Sequence, residues 1–483
     1  MDFTHILPSP SGIQYALLST LGAILSRYRS TSGVLRPQED FDIDPITGFV
    51  PPQPLPRLPA EYKLWEDALS EAPDVLRLSN DTSDEALTLR AEGEAWRSNI
   101  RSTRFKQGPA LDVDFIRERP RLLQRAHVVL TWLVQYYVHS LPPTHPPTPK
   151  RIPESLAVPL VEVSRILGIA PILTFADTIT WNWELIHPDQ PVTIDNMKLA
   201  HSFSGRDDER HFYQVQAAVE LHGTQLLRII DDYNQIPNLD EFTSVFKVAR
   251  DLTRLTAIIE EISDLIQSMR SGCDPHIFYW EMRPWVEGSD SKGPSQPGWI
   301  FEGVDPHAPE LQYLSGPSGG QSTVMHALDL FLDIDHKLQS KRQPAPSSEN
   351  KRADRGFMDR MRQYMLGKHR EYLQQLETSP RSIRELAQRT AILREPYNNA
   401  VKALKTLRSL HMRIACLYII NMSKTENPRS ACPAAAAMER QAAKMEAGAK
   451  AEKKGPILGT GGTDLVTLLK AGRDATSRAA LKN

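Results

Sequence analysis

The sequence predicts an all-α protein. Apolar residues recur at three- and four-residue spacing through long segments, convincing period-two alternation is scarce, and proline-rich connectors punctuate the periodic stretches. With 483 residues, 40% of them hydrophobic, and 57 Lys plus Arg against 59 Asp plus Glu, the chain can bury a sizeable core and form two domains. The near cancellation of charge, without a basic run interleaved with aromatics, speaks against a nucleic-acid partner. Cys273, Cys416 and Cys432 show no CxxC spacing, so neither a disulfide framework nor a structural zinc site is expected.

Residues 1–40 read as an N-terminal extension. Residues 13–25 are apolar enough for a short helix but too short to span a bilayer, and no basic region precedes them, which argues against a secretory signal. Residues 3–38 lack acidic side chains and carry Arg27, Arg29 and Arg36 among serines, a composition also found in mitochondrial transit peptides. A helix packed on the body is the first reading, and organelle import the alternative. Proline-rich connectors at 51–59 and 141–153 follow, where missing amide donors and fixed φ angles interrupt regular structure; the 116–140 segment between them is helical in pattern. A small helical domain is expected over 41–203, closed by the polar, turn-rich HSFSGRDD run at 201–208. A larger helical domain is expected over 204–483, with helical patterns at 212–233, 242–269 and 358–376. Composition predicts mobile segments at 341–355, polar and proline-containing, and at 423–455, rich in Ala, Lys and Glu.

Two glycine-rich segments bracket the helix that carries the most chemistry. LSGPSGGQST at 314–323 leads into an apolar helix with Asp329, and LGTGGTDL at 458–465 opens another. Neither ends in the Lys-Ser/Thr of a phosphate loop or has the strand and spacing of a dinucleotide fingerprint. They read as turns before helix N-caps, or as backbone able to approach a flat cofactor. Between them, residues 396–420 read as one helix, with Val401, Leu404, Arg408, His411, Ala415 and Tyr418 along one face. His411 therefore faces inward with Arg408. Such a histidine is either a satisfied core residue or a donor to iron, and an arginine one turn earlier could reach a haem propionate. Cys416, five residues on, points to another face and reads as core.

These segments, in this order, resemble the signatures of the indoleamine 2,3-dioxygenase family: SGPSGGQS at 315–322, LRSLH at 407–411 with the following IACLYI, and GTGGTDL at 459–465. The resemblance continues upstream through IFYWEMR at 277–283, HFY at 211–213, LTFAD at 173–177 and WNW at 181–183, and begins near FDIDPITGF at 41–49. Insertions and long tails resemble fungal members.

The resemblance implies a two-domain helical haem dioxygenase fold, a haem b cofactor with one iron per chain, and insertion of both atoms of O2 across the indole C2–C3 bond of L-tryptophan. The product would be N-formylkynurenine, the entry to the kynurenine pathway and NAD synthesis. His411 becomes the proximal iron ligand, with Asp329 and Arg408 in the polar network on that side and Ser318 and Gly319 beside the distal haem face. Phe212, Tyr213, Phe278 and Tyr279 would enclose the indole, Arg283 would fork onto the substrate carboxylate, and Thr460 would approach the ammonium as its loop closes. No side chain is expected to serve as an obligatory acid or base. No distal histidine occupies the matching positions, which speaks against an oxygen carrier or peroxidase. Phe175, Thr178, Gln216 and Met325 depart from the animal pattern and bear on substrate and turnover more than on haem binding. They leave open a modified indole substrate, or a haem sensor without catalysis; retention of Arg283 and Thr460 favours an enzyme. The expected protein is a cytoplasmic monomer, with mitochondrial import as the alternative. Its partners are O2 and L-tryptophan or a related indole, with no nucleic acid and no transmembrane segment.

Overall fold

The computed structural model describes residues 36–102, 105, 112–144, 146–291, 298–336, 356–426, 459 and 464–482. The expectations for residues 1–35, for 341–355, for 427–455 and for Cys432 and Thr460 lie outside these residues. Helices dominate, as the periodicity predicts. Among the described residues the strands form two short ribbons, β1 (Lys150–Ile152) parallel to β4 (Trp299–Phe301) and β2 (Trp183–Leu185) antiparallel to β3 (Met197–Leu199). No described helix is long and apolar enough to cross a membrane.

The N-terminal core gathers around α3 (Pro120–Ser140), flanked by α1 (Lys63–Val75), α2 (Arg90–Ile100) and α4 (Glu154–Leu167). Pro120 stands at the first helical position, where its missing N–H has no partner to lose. From Leu123 onward α3 is buried on every side, so polar groups on it are costly without a partner; the Gln135 amide has none among the described residues, but the charged groups are paired. Arg125 is gripped by Glu66 at 2.8 and 2.5 Å. His127 sits between Asp177 Oδ1 at 2.7 Å and the Ala170 carbonyl at 3.1 Å. Asp177 Oδ2 also accepts from the Thr174 amide and hydroxyl at 2.8 and 2.7 Å, which pins the turn that presents Phe175.

The C-terminal core is built by α5 (Asp207–Gln235), α6 (Phe242–Gly272), α7 (Thr323–Phe331), α8 (Gly367–Glu377), α9 (Ile383–Arg389), α10 (Ala391–Ala415) and α11 (Leu465–Ala479). The central pair is α6 with α10: Leu255, Ile258, Ile259 and Ile262 pack with Tyr397, Val401, Leu404 and Leu407, all essentially inaccessible. Each such side chain contributes about 1.5–3 kcal/mol of burial, so this seam fixes which face of α10 turns inward. Phe41, Ile43 and Phe49 return from the N-terminal side to join this core.

Two helix boundaries differ from the sequence reading. The periodic stretch at 358–376 is split into Phe357–Arg362 and α8, because the residues between have other partners. The Gln363 carbonyl accepts from the Ala170 amide at 3.0 Å, and the Tyr364 hydroxyl accepts from the Ser315 amide at 2.9 Å. Helix α10 begins at Ala391, ahead of Pro396, and after Ala415 passes into a wider π turn at Cys416–Asn421.

Helix α5 meets α7 at Gly223, where an added Cβ would lie 2.5 Å from Val324 Cγ1. Val324 is fully buried and has no room to swing away. We expect Gly223→Val to lower stability by about 1–3 kcal/mol in denaturant unfolding; a variant as stable as the parent would show that the two helices are not in close contact.

Candidate active site

A cavity of about 370 Å³ opens between α5, α6, α7, α10 and α11, a size typical of small-molecule sites. Three π-helical turns border it: Ala176–Thr180 contributes Thr178, Phe278–Met282 contributes both its end residues, and Cys416–Asn421 contributes Tyr418 and Ile419. A π turn widens the helix and turns side chains off the regular face, so such turns concentrate at functional sites.

His411 projects from α10 onto the cavity wall. The side chain is accessible and borders the cavity, and desolvation together with the nearby Arg408 charge lowers its pKa below the ordinary histidine value. Neither ring nitrogen has a hydrogen-bond partner among the described residues. A neutral, unpartnered imidazole facing a cavity has a lone pair to give.

One turn earlier, Arg408 holds Asp329 through Nη2 at 2.6 and 2.5 Å. Its Nη1 donates to the Gly472 carbonyl at 3.3 Å and to the Thr476 hydroxyl, so α10, α7 and α11 are tied together. His336 Nε2 adds a contact to Asp329 Oδ2 at 2.8 Å. Burial would raise the Asp329 pKa, but Arg408 and His336 hold it well below the usual carboxylate range.

Phe212 and Phe278 meet with ring centroids 4.9 Å apart, and Phe278 packs edge-on against Tyr418 at 5.6 Å. Arg283 borders the same cavity, with Nη1 3.3 Å from Glu287 and its guanidinium 5.4 Å from the Tyr279 ring. On the loop before α7, the Ser318 hydroxyl accepts from the Gly320 amide at 3.2 Å. A Cβ added to Gly319 or Gly472 would meet nothing within 4 Å, and both glycines line the cavity. The space in front of them is therefore free for a ligand. Flat glycine walls, a mainly apolar lining and a free imidazole fit the haem that the sequence resemblance implies; His411 would hold its iron.

Phe212, Tyr213, Phe278, Arg283, Ser318, Gly319, Asp329, Arg408 and His411 all line this cavity. Tyr279 does not; it lies beside the Arg283 guanidinium, in T-shaped contact with Trp280. Thr460 is outside the described residues, although Gly459 and Leu465 on either side of it border the cavity. The four departures, Phe175, Thr178, Gln216 and Met325, are all lining residues.

The family model described as indoleamine 2,3-dioxygenase matches residues 37–479. The chain is similar to indoleamine 2,3-dioxygenase 1 of Mus musculus, 29% identical over 95% of this chain and 99% of that protein. It is similar to the indoleamine 2,3-dioxygenase of Saccharomyces cerevisiae, 29% identical over 92% of this chain and 94% of that one. A third similar protein, from Fusarium equiseti, bears the name 6-hydroxytryptophan 2,3-dioxygenase fscD and is 29% identical over 81% of this chain and 88% of its own length.

Sequence reasoning did not single out Glu220, His336 or Gly472. For Glu220 the signal was present, since Phe212, Gln216 and Glu220 stand four residues apart on α5 and so share a face. Glu220 is buried in the cavity wall and accepts from the Ser322 hydroxyl at 2.5 Å, while that hydroxyl oxygen caps α7 by accepting from the Met325 amide. It also borders a second pocket of about 20 Å³, room for one water. Burial raises its pKa from 4.5 to about 7, only partly opposed by Ser322. Between those values the folded protein keeps a proton that the unfolded chain releases. Stability contributed by this group is therefore full below about 4.5 and falls as pH rises towards about 7. We expect Glu220→Gln, which keeps the shape, to gain stability over the parent progressively from pH 5 to about pH 7.5 in thermal unfolding. A difference that is constant with pH would contradict a neutral Glu220.

Proposed function

The chain belongs to the indoleamine 2,3-dioxygenase family of haem-dependent oxidoreductases, and from that premise we propose that it converts L-tryptophan to N-formylkynurenine, the first step of the kynurenine route towards NAD. The observation that carries the reading is His411, an unpartnered imidazole on the wall of a large, mainly apolar cavity that also holds a paired arginine and an aromatic pair. Haem b, one per chain, would supply the binding and activation of O2.

The residues of the chain do the rest. His411 would donate a ring nitrogen to the iron, while the Asp329–Arg408 pair keeps α10 from rotating and so fixes where that nitrogen lies. Ser318 and Gly319 would border the haem, the latter because a side chain there would fill cofactor space. Phe212 and Phe278, with Tyr213 behind them, would hold the indole by ring contact. Arg283 would receive the substrate carboxylate; Glu287 and the face of Tyr279 hold its guanidinium in place beforehand. Thr460 would meet the ammonium. With haem and substrate in place, the mainly apolar lining would exclude water and so strengthen each of these polar contacts.

The same reading divides the chain into an extension at 1–40, a small helical domain at 41–203 and a catalytic domain at 204–483; the helices of the first core lie in the smaller domain and those of the second in the larger, while Trp285, Phe301 and Phe357 cross into the first core and Phe41, Ile43 and Phe49 into the second. It takes a cytoplasmic monomer, with mitochondrial import the alternative carried by the acid-free N-terminal stretch. A second reading, dioxygenation of a ring-modified indole, is favoured by Gln216 on the cavity wall and by the name of the Fusarium equiseti relative.

The test is anaerobic reduction of the haem-loaded protein, then addition of L-tryptophan and isotopically labelled O2, with products read by mass spectrometry. We expect N-formylkynurenine carrying both labelled atoms. Unchanged tryptophan from a protein whose ferrous haem still binds carbon monoxide would contradict the tryptophan reading.

A further inference from the structure

We propose that Gln216 is a specificity-determining residue that reads a hydroxyl on the benzo ring of the substrate's indole, so that ring-hydroxylated tryptophan binds more tightly than tryptophan itself. The proposal rests on the reading above, that the cavity takes an indole amino acid.

Gln216 lies on α5 one turn after Phe212 and borders the cavity together with Phe175, Thr178 and Tyr213. Among these walls its amide stands apart, because the neighbouring polar group is already engaged. The Thr178 hydroxyl donates back to the Thr174 carbonyl at 3.1 Å and reaches the Phe175 carbonyl at 3.3 Å. Among the described residues Gln216 has a single tie, from Nε2 to the Phe212 carbonyl of its own helix, at 3.4 Å. That is the long limit of a hydrogen bond. Its Oε1 has no partner among the described residues.

An amide carries an acceptor and two donor hydrogens, and only one hydrogen here is engaged. In the free protein, water in the cavity can satisfy the rest. An unsubstituted benzo ring laid against Gln216 would displace that water and return no hydrogen bond, which is the costly case for a polar group. The indole N–H could serve the carbonyl but would leave the second amide hydrogen against an apolar wall. A hydroxyl both donates and accepts, so it can meet the carbonyl or the free N–H whichever way the amide is turned. Sites built to pair a hydroxyl discriminate strongly against the analogue that lacks it.

The experiment measures dissociation constants from the ligand-induced change in the visible spectrum of the haem-loaded protein. The ligands are L-tryptophan, its 5- and 6-hydroxy derivatives and N1-methyl-L-tryptophan, and kcat/KM is recorded beside them. The parent is compared with Gln216→Met, similar in length but unable to hydrogen-bond, and with Gln216→Asn. We expect the parent to favour at least one hydroxylated ligand over tryptophan by roughly tenfold. Gln216→Met should remove that preference from both sides, weakening the hydroxylated ligand, which loses its partner, and tightening tryptophan and the N-methyl compound, which no longer bury an unpaired amide. Gln216→Asn, which keeps the amide but withdraws it, should recover part of the preference.

A preference unchanged in Gln216→Met would overturn the proposal. So would equal weakening of tryptophan and its hydroxy derivatives with the N-methyl compound spared, which would assign the amide to the indole N–H. Failure of the underlying reading looks different: none of the ligands would perturb the spectrum of the parent at all.

Discussion

The buried pairing of Asp329 with Arg408 is the contact on which the cavity depends. It joins α7 to α10, and through the Gly472 carbonyl and the Thr476 hydroxyl it draws α11 into the same knot. In a low-dielectric interior, losing one member of such a pair strands the other charge at a cost of about 3–5 kcal/mol. The three helices therefore hold one another in register. His411 lies one turn beyond Arg408, so the rotation that brings the guanidinium to Asp329 also turns the imidazole onto the cavity wall. The α6–α10 seam independently enforces that rotation through close packing.

The wall is best understood by asking which polar groups have partners. Arg408, Asp329, Arg283, Thr178, Ser322 and Glu220 all make hydrogen bonds within the protein. Desolvation makes such pairing close to obligatory, which is why His411 and the carbonyl of Gln216 stand out. One has the electronic character of an iron ligand; the other can read a ring substituent. Glu220 is a different kind of exception, a carboxyl bonded to Ser322 whose burial raises its pKa to about 7, with no cation among the described residues close enough to favour the charge.

Much of this was legible in the sequence because helical periodicity and buried faces are the same property seen twice. The spacing of Val401, Leu404, Arg408, His411, Ala415 and Tyr418 reports the inward face of α10, and the cavity is lined from that face by Arg408, His411, Ala415 and Tyr418. What periodicity could not see was where non-local partners interrupt a helix. The break before α8 is set by Ala170 and Ser315, residues distant in sequence. Nor could it separate Tyr279 from Phe278, since the π turn redirects adjacent side chains in a way that ordinary helical spacing does not describe. Gly472 belongs to the wall because it permits close approach, and a lone glycine inside a helical pattern gives little local sign of that role.

The account turns on His411 being free to bind iron, and its replacement by alanine tests that most directly. The side chain makes no hydrogen bond to the described residues, so the variant should keep the parent's circular dichroism. It should also fail to retain haem stoichiometrically on titration and gel filtration, and recover a parent-like spectrum when free imidazole is supplied. Parent-like haem occupancy and spectrum in His411→Ala without imidazole would contradict the assignment and require another ligand for the iron.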